Sequence, residues 1–187
     1  EKSMYTYNTV YDLSGSSTSL TAGLSRIVYR NNKSKLVANI GVTRKNNRSY
    51  FEDVELYDRN LSIGTIGLDY DFSFIGGIAG AGISYSKGLR IFHAERDSGK
   101  IDTTPKAQFH KYSMNLSYYK PITNKLVYRA NVNGSYSNDV LYGSERQTIG
   151  GVGSVGGYHT RESIQGDKAI EVSNEIAYNI PVKKFAV

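Results

Sequence analysis

The chain has 187 residues, 39% of them hydrophobic, with a net charge of +6 from 23 basic and 17 acidic side chains and no cysteine. That length suits a single domain, and the missing cysteine removes disulfides, thiolate metal sites and cysteine nucleophiles together. No stretch reaches the roughly 18 apolar residues of a membrane helix. A mean hydropathy of −0.43 is nevertheless compatible with membrane strands, where alternation halves the apparent hydrophobicity of each span.

Read in chain order, the pattern is apolar against polar with a period of two, which is the signature of strands with one apolar face. Met4 to Tyr11 is the first predicted strand and Ser19 to Tyr29 the second, with Leu20, Ala22 and Leu24 opposing Ser19, Thr21, Gly23 and Ser25. Lys35 to Arg44 sets Leu36, Ala38, Ile40 and Val42 against Lys35, Asn39, Gly41 and Thr43. Leu61 to Phe74 changes phase near Gly64, from Leu61 and Ile63 to Ile66, Leu68, Tyr70 and Phe72, which a bulge there would explain. Ile78 to Lys87, Phe109 to Lys120, Leu126 to Ser137 and Ala169 to Val182 complete about eight segments, each long enough for a span of roughly 9 to 11 residues.

Connections alternate in length. Asn31 to Ser34, Ile75 to Gly77 and Pro121 to Asn124 are short; Lys45 to Asn60, Gly88 to Gln108 and Asn138 to Lys168 are long. Membrane barrels have this asymmetry, with short turns on the periplasmic side and long loops outside. Sixteen Tyr without Trp point the same way, because many stand near segment ends: Tyr5, Tyr7, Tyr29, Tyr50, Tyr70, Tyr85, Tyr118, Tyr119 and Tyr136. Aromatic girdles at two membrane interfaces would place them there. The expected fold is therefore all-β, an antiparallel transmembrane barrel with lipid outside and a wet lumen. A soluble sandwich or ligand-binding barrel needs bulkier inward residues than the Ala, Leu and Val found here.

Several functional classes are set aside by spacing. Basic residues gather in connections, as in Arg30, Lys33 and Lys35 or Arg44, Lys45 and Arg48, rather than along one platform, so nucleic acid is not an expected partner. Gly151, Gly153 and Gly156 spell G-x-G-x-x-G, but no helical period follows, so nucleotide is not expected either. His93, His110 and His159 lack the paired spacing of metal ligands, and no nucleophile elbow is present. Neither catalysis nor a cofactor or metal is predicted.

The stretch GGVGSVGGYHTRESIQGDKAIEVSNEI from Gly150 resembles the lumenal-loop signature of two-partner secretion transporters, the outer-membrane barrels that export haemolysins and filamentous haemagglutinins. GLSRIVYRNNKSKL from Gly23, GVTRKNNRSYFEDVEL from Gly41 and SYSKGL from Ser84 agree with it in order. The resemblance implies a bacterial outer-membrane barrel of roughly sixteen strands, of which this chain holds the middle half. It implies a pore that passes an unfolded secreted partner outward, and two POTRA domains ahead of the barrel that are not in this chain. Both chain ends look cut, and the piece is not expected to fold alone. A self-contained small barrel, acting as an adhesin or structural protein, is the alternative; it would pair Met4 to Tyr11 with Ala169 to Val182.

The resemblance also implies that residues 138–168 fold into the lumen with a loop motif of Gly150, Gly151, Ser154, Val155, Gly156, Gly157 and Tyr158. The family's arginine is replaced by Gly156 here, and the acidic wall motif that partners it would begin after Val187. Arg161 is the candidate substitute cation. Glu171 and Glu175, on the polar face of the last segment, are its candidate partners, and Asp69 and Asp71 are expected to line the same wet space. Arg26 shares the apolar phase of Leu24 and Val28, so it is expected at the membrane edge or displaced by a bulge.

Overall fold

A computed structural model of the protein describes residues 13–51, 54–150 and 163–178. Its strands are β1 (Leu13–Arg30), β2 (Ser34–Phe51), β3 (Val54–Phe74), β4 (Gly77–Leu89), β5 (His110–Pro121), β6 (Leu126–Tyr136), β7 (Gln147–Gly150), β8 (Ser163–Gly166) and β9 (Lys168–Tyr178). β1 to β6 and then β9 pair antiparallel into one seven-stranded sheet, while β7 and β8 form a separate ribbon. The sheet is open among the described residues, with β1 and β9 at its edges.

Short turns follow from local chemistry. The Asn31 side chain accepts the backbone N–H groups of Lys33 (2.8 Å) and Ser34 (2.6 Å), closing the β1–β2 turn as an Asx motif. Ile75 (φ 43°) and Gly76 (φ 73°) both take left-handed conformations, as a two-residue hairpin turn of the right twist requires. Thr123 Oγ1 accepts the N–H of Leu126 at 3.1 Å in the β5–β6 turn.

Register fixes the faces, because directly paired residues point the same way. One row runs Arg26, Ala38, Leu68, Ile83, Met114, Gly134 and Ile170; the next runs Leu24, Ile40, Ile66, Tyr85, Tyr112, Tyr136 and Lys168. This face leaves Leu24 77%, Ile83 63% and Ile176 68% exposed, and no second layer covers them among the described residues. So large an apolar surface is stable only against lipid. Aromatic rings edge it on two levels. Tyr70, Phe72, Phe74, Tyr118 and Tyr128 follow one another at centroid separations of 5.0 to 6.3 Å toward the short turns, and Tyr85 and Tyr112 lie 5.1 Å apart toward the long connections. Tyr119, expected among these, instead shares the polar face with Arg129.

Further sequence expectations need correction. There is no bulge at Gly64: β3 keeps register with both neighbours through this point, and Leu61 and Ile63 belong to the polar-face phase. They are buried there because the long connections fold over them, forming a cluster with Ala107, Phe109, Leu141 and Tyr142. Lys45 to Asn60 is not a loop, since β2 and β3 stay paired out to Phe51 and Val54, and β1 accompanies them from Leu13. From Lys45 to Ser49 and from Asp58 to Asn60 those outer residues are polar on both faces, so period two cannot reveal them. Residues 138–168 likewise hold the β7–β8 ribbon.

Arg26 is followed at once by a bulge between Ile27 and Tyr29, four residues before the end of β1. The bulge lies beyond Arg26, which stays paired with Ala38 in the row of Leu68, so it does not turn this arginine off the lipid-side face as the sequence reading expected. The predicted strand Met4 to Tyr11, and the end of the last one beyond Tyr178, lie outside the described residues.

Candidate functional site

The polar face is a wall of short side chains and paired charges. Lys35 meets Asp71 at 3.0 Å and Asn39 donates to Asp69 at 2.5 Å, both between β2 and β3. Thr21 and Thr43 share a hydrogen bond of 3.1 Å, as do Thr65 and Ser86 at 3.0 Å. β4 contributes Gly80, Gly82, Ser84 and Ser86 to this face. A Cβ at Gly82 would collide with the side chains of Asp69 and Asn115, so glycine lets polar groups of β3 and β5 converge across β4. Such a face holds water rather than a packed core.

At the long-connection end, two segments cross this wall. Residues 90–109 return over β4, where the carbonyl of Ala107 sits above Gly88 and the Gly88 N–H donates to Phe109 O at 2.9 Å. Residues 137–146 lie beside them, held by Lys106 N–H to Val140 O at 2.9 Å. Phe109 and Leu141 are fully buried between the segments and Leu61. Around that apolar knot, Lys100 contacts Glu95 at 2.7 Å, Asp97 at 3.2 Å and the Tyr142 hydroxyl at 2.7 Å. The guanidinium of Arg59 stacks 3.8 Å above the Tyr142 ring.

Electrostatics reinforces the knot. Burial favours the neutral form of Lys100, but hydrogen bonds to Glu95, Tyr142 and Asp97 outweigh it and hold the ammonium above its ordinary range. Burial likewise opposes ionisation of Asp97. The N–H groups of Ala107 (2.8 Å) and Gln108 (2.6 Å), with Lys100, overcome that and lower its carboxyl.

The most buried charge of the crossing segments is Glu145. Its carboxylate lies 2.6 Å from Lys45 of β2 and 3.8 Å from Lys111 of β5, and its carbonyl accepts from Lys111 at 3.1 Å. One acid on a connection thus bridges two cations of the wall. Sequence reading missed it, although Lys45 and Lys111 both continue the polar phase of their strands and leave two inward cations needing an anion. Just beyond, Arg146 meets Asp167 at 3.1 Å, and Asp167 also accepts the Leu141 N–H at 3.0 Å, which ties the start of the β6–β9 connection to its end.

The predicted site residues are only partly in view. Gly150 ends β7 with φ 94°. Gly151, Ser154, Val155, Gly156, Gly157, Tyr158 and Arg161 lie outside the described residues. Glu175 pairs with Arg129 across β6 and β9 at 3.2 Å, so it already has a cation. Glu171 stands opposite Asn133 on the same face, half-buried and without an ion pair among the described residues. Asp69 and Asp71 line the wall as expected.

Comparison with known proteins gives this architecture a family. The description "Haemolysin secretion/activation protein ShlB/FhaC/HecB" matches residues 1–187. The outer membrane transporter CdiB of Dickeya dadantii (strain 3937) is 32% identical over 173 residues, covering 90% of this chain and 31% of the relative. CdiB of Escherichia coli O6:K15:H31 (strain 536 / UPEC) is 29% identical over 160 residues, covering 84% and 27%. Among solved structures, CdiB from Escherichia coli superposes with a TM-score of 0.86 at 27% identity, over 95% of this chain and 32% of that one. CdiB from Acinetobacter baumannii shares the fold, with a TM-score of 0.76 at 24% identity over 92% and 30%. The chain spans about a third of the length of these relatives. Its sheet is part of an antiparallel β-barrel of the bacterial outer membrane. The chain belongs to the haemolysin secretion/activation family of ShlB, FhaC and HecB.

Proposed function

We propose that the intact protein is a pore that carries one secreted partner protein, of haemolysin or adhesin type, unfolded across the outer membrane. The observation that carries this reading is the crossed wall. An apolar face fit for lipid backs a polar, glycine-relieved face, and residues 137–146 run over that face, clasped by Lys45 and Lys111 through Glu145. A water-filled lumen partly occupied by its own connection suits passage of an extended chain, whose backbone groups need water or polar partners throughout.

In this reading residues 138–168 form the lumenal loop, with the motif Gly150 to Tyr158 at its tip. Arg161 is its second anchor, and Glu171 is the preferred wall partner because Glu175 is engaged by Arg129. Recognition of the partner falls to POTRA modules elsewhere in the intact protein. Transport needs neither a nucleotide nor chemistry by these residues.

Deletion of the full-length gene, followed by immunodetection of the secreted partner, tests the reading. The partner should accumulate in the periplasm and reach the surface again on complementation. Unchanged surface display after deletion would overturn it.

A further inference from the structure

Beyond the apolar band toward the long connections, the lipid-side face changes abruptly to cations. Arg44 follows Val42 on β2, Lys87 follows Tyr85 on β4 directly opposite His110 of β5, and Lys168 of β9 lies 4.7 Å above the Tyr136 ring. Arg44 and Lys87 are exposed and have no ion pair among the described residues. Arg48, two outward positions further along β2, already holds Asp58 at 3.1 Å. Arg44, Lys87 and Lys168 therefore form a positive edge where hydrocarbon ends.

One stretch of this edge has the shape of a site. Ser16, Thr18, Leu20, Arg44, Asn46 and Arg48 line an open cavity of 410 Å³ between β1 and β2. The lining joins the exposed apolar Leu20 to hydroxyl and amide groups, and its two arginines stand four residues apart on one strand, about 13 Å between their backbone positions at ~3.3 Å per residue. Arginine matches a phosphate with parallel N–H donors, and the match strengthens beside hydrocarbon, where water screens less. An anion with an acyl tail satisfies both halves of the cavity; a soluble anion satisfies only the upper half.

We propose that this outward cavity binds the phosphate of a membrane lipid head group in the outer leaflet, with Arg44 as principal contact and Lys87 and Lys168 extending the same edge. The inference rests on the outer-membrane placement of the sheet and not on the transport reading.

The test uses the full-length transporter in phosphatidylcholine vesicles containing lipid A, a doubly phosphorylated glucosamine lipid, or its dephosphorylated counterpart. Bound lipid is counted by native mass spectrometry after extraction. The wild type should retain lipid A at least about tenfold over the dephosphorylated lipid, and the double variant Arg44→Gln/Arg48→Gln should lose that preference. Arg44→Lys/Arg48→Lys should keep part of it, and Lys120→Gln/Lys125→Gln at the opposite edge should keep all of it. Heat-dependent gel mobility confirms that each variant remains folded. Equal retention of the two lipids by the wild type overturns the proposal without need of any variant. Full competition by inorganic phosphate overturns the lipid as the source of the anion.

Discussion

Lys45 Nζ lies 2.6 Å from Glu145 Oε1, a contact between residues one hundred positions apart in the chain. With Lys111 on the other side of the carboxylate, it fastens the connection after β6 to strands that are three apart in the sheet. Removing the acid leaves two half-buried cations facing each other, a loss of about 1–3 kcal/mol at the loop root. Glu145→Gln in the full-length transporter should speed proteolytic cleavage within residues 138–168 and make channel conductance noisier. The swap Lys45→Glu/Glu145→Lys should restore part of both. Cleavage and conductance unchanged in Glu145→Gln would show that the clasp does not hold the loop.

The Asp97–Lys100 knot has a defined pH window. Asp97 is lowered, so its contribution is present above the ordinary carboxylate value of about 3.9 and is lost as pH falls through the lower folded value. Lys100 is raised, so its contribution is full below about 10.4 and is lost as pH rises through the higher folded value. Residues 90–109 should resist protease evenly from about pH 4 to 10 and loosen outside that range. Asp97→Ala should remove the acid-side dependence, measured with an acid-stable protease.

Gly88 is required by the chain passing above it, since a Cβ would drive into the carbonyl of Ala107. At Gly41 the nearest atom to such a Cβ is Ala22 O at 3.4 Å, an ordinary contact. Gly88→Ala should lower the thermal midpoint of the full-length barrel by an amount equivalent to about 1–3 kcal/mol, whereas Gly41→Ala should change it little. Equal effects would contradict the crossing of residues 105–109 over β4.

Leu68 stands midway along the lipid-side face of β3, between Ala38 and Ile83. Leu68→Arg should cost about 2–4 kcal/mol, the expected cost at the bilayer midplane. Arg44→Leu at the edge should be tolerated. Denaturant unfolding in a lipid bilayer compares the two.

Alternation made the spanning strands legible, because lipid on one side and water on the other impose period two on the residues within each span. Legibility stopped where that contrast stops. Lys45 to Arg48 and Asp58 to Asn60 read as loop because both sides of a strand above the membrane meet water, yet backbone pairing continues. Leu61 and Ile63 broke the pattern for the opposite reason: the chain itself, not lipid, buries them. Glu145 carried no local signal, since its partners come from β2 and β5 and only the folded connection brings them together.

The central claim is that alternate residues of each strand meet water and lipid. The most direct measurement places single cysteines at Asn115 and Leu116 of β5, in a chain that has none of its own, and labels the full-length protein in intact outer membranes. Asn115→Cys should react with a small water-soluble thiol reagent and Leu116→Cys only with a membrane-partitioning one. Equal labelling of both by the water-soluble reagent, or the reverse pattern, would contradict the barrel wall described above.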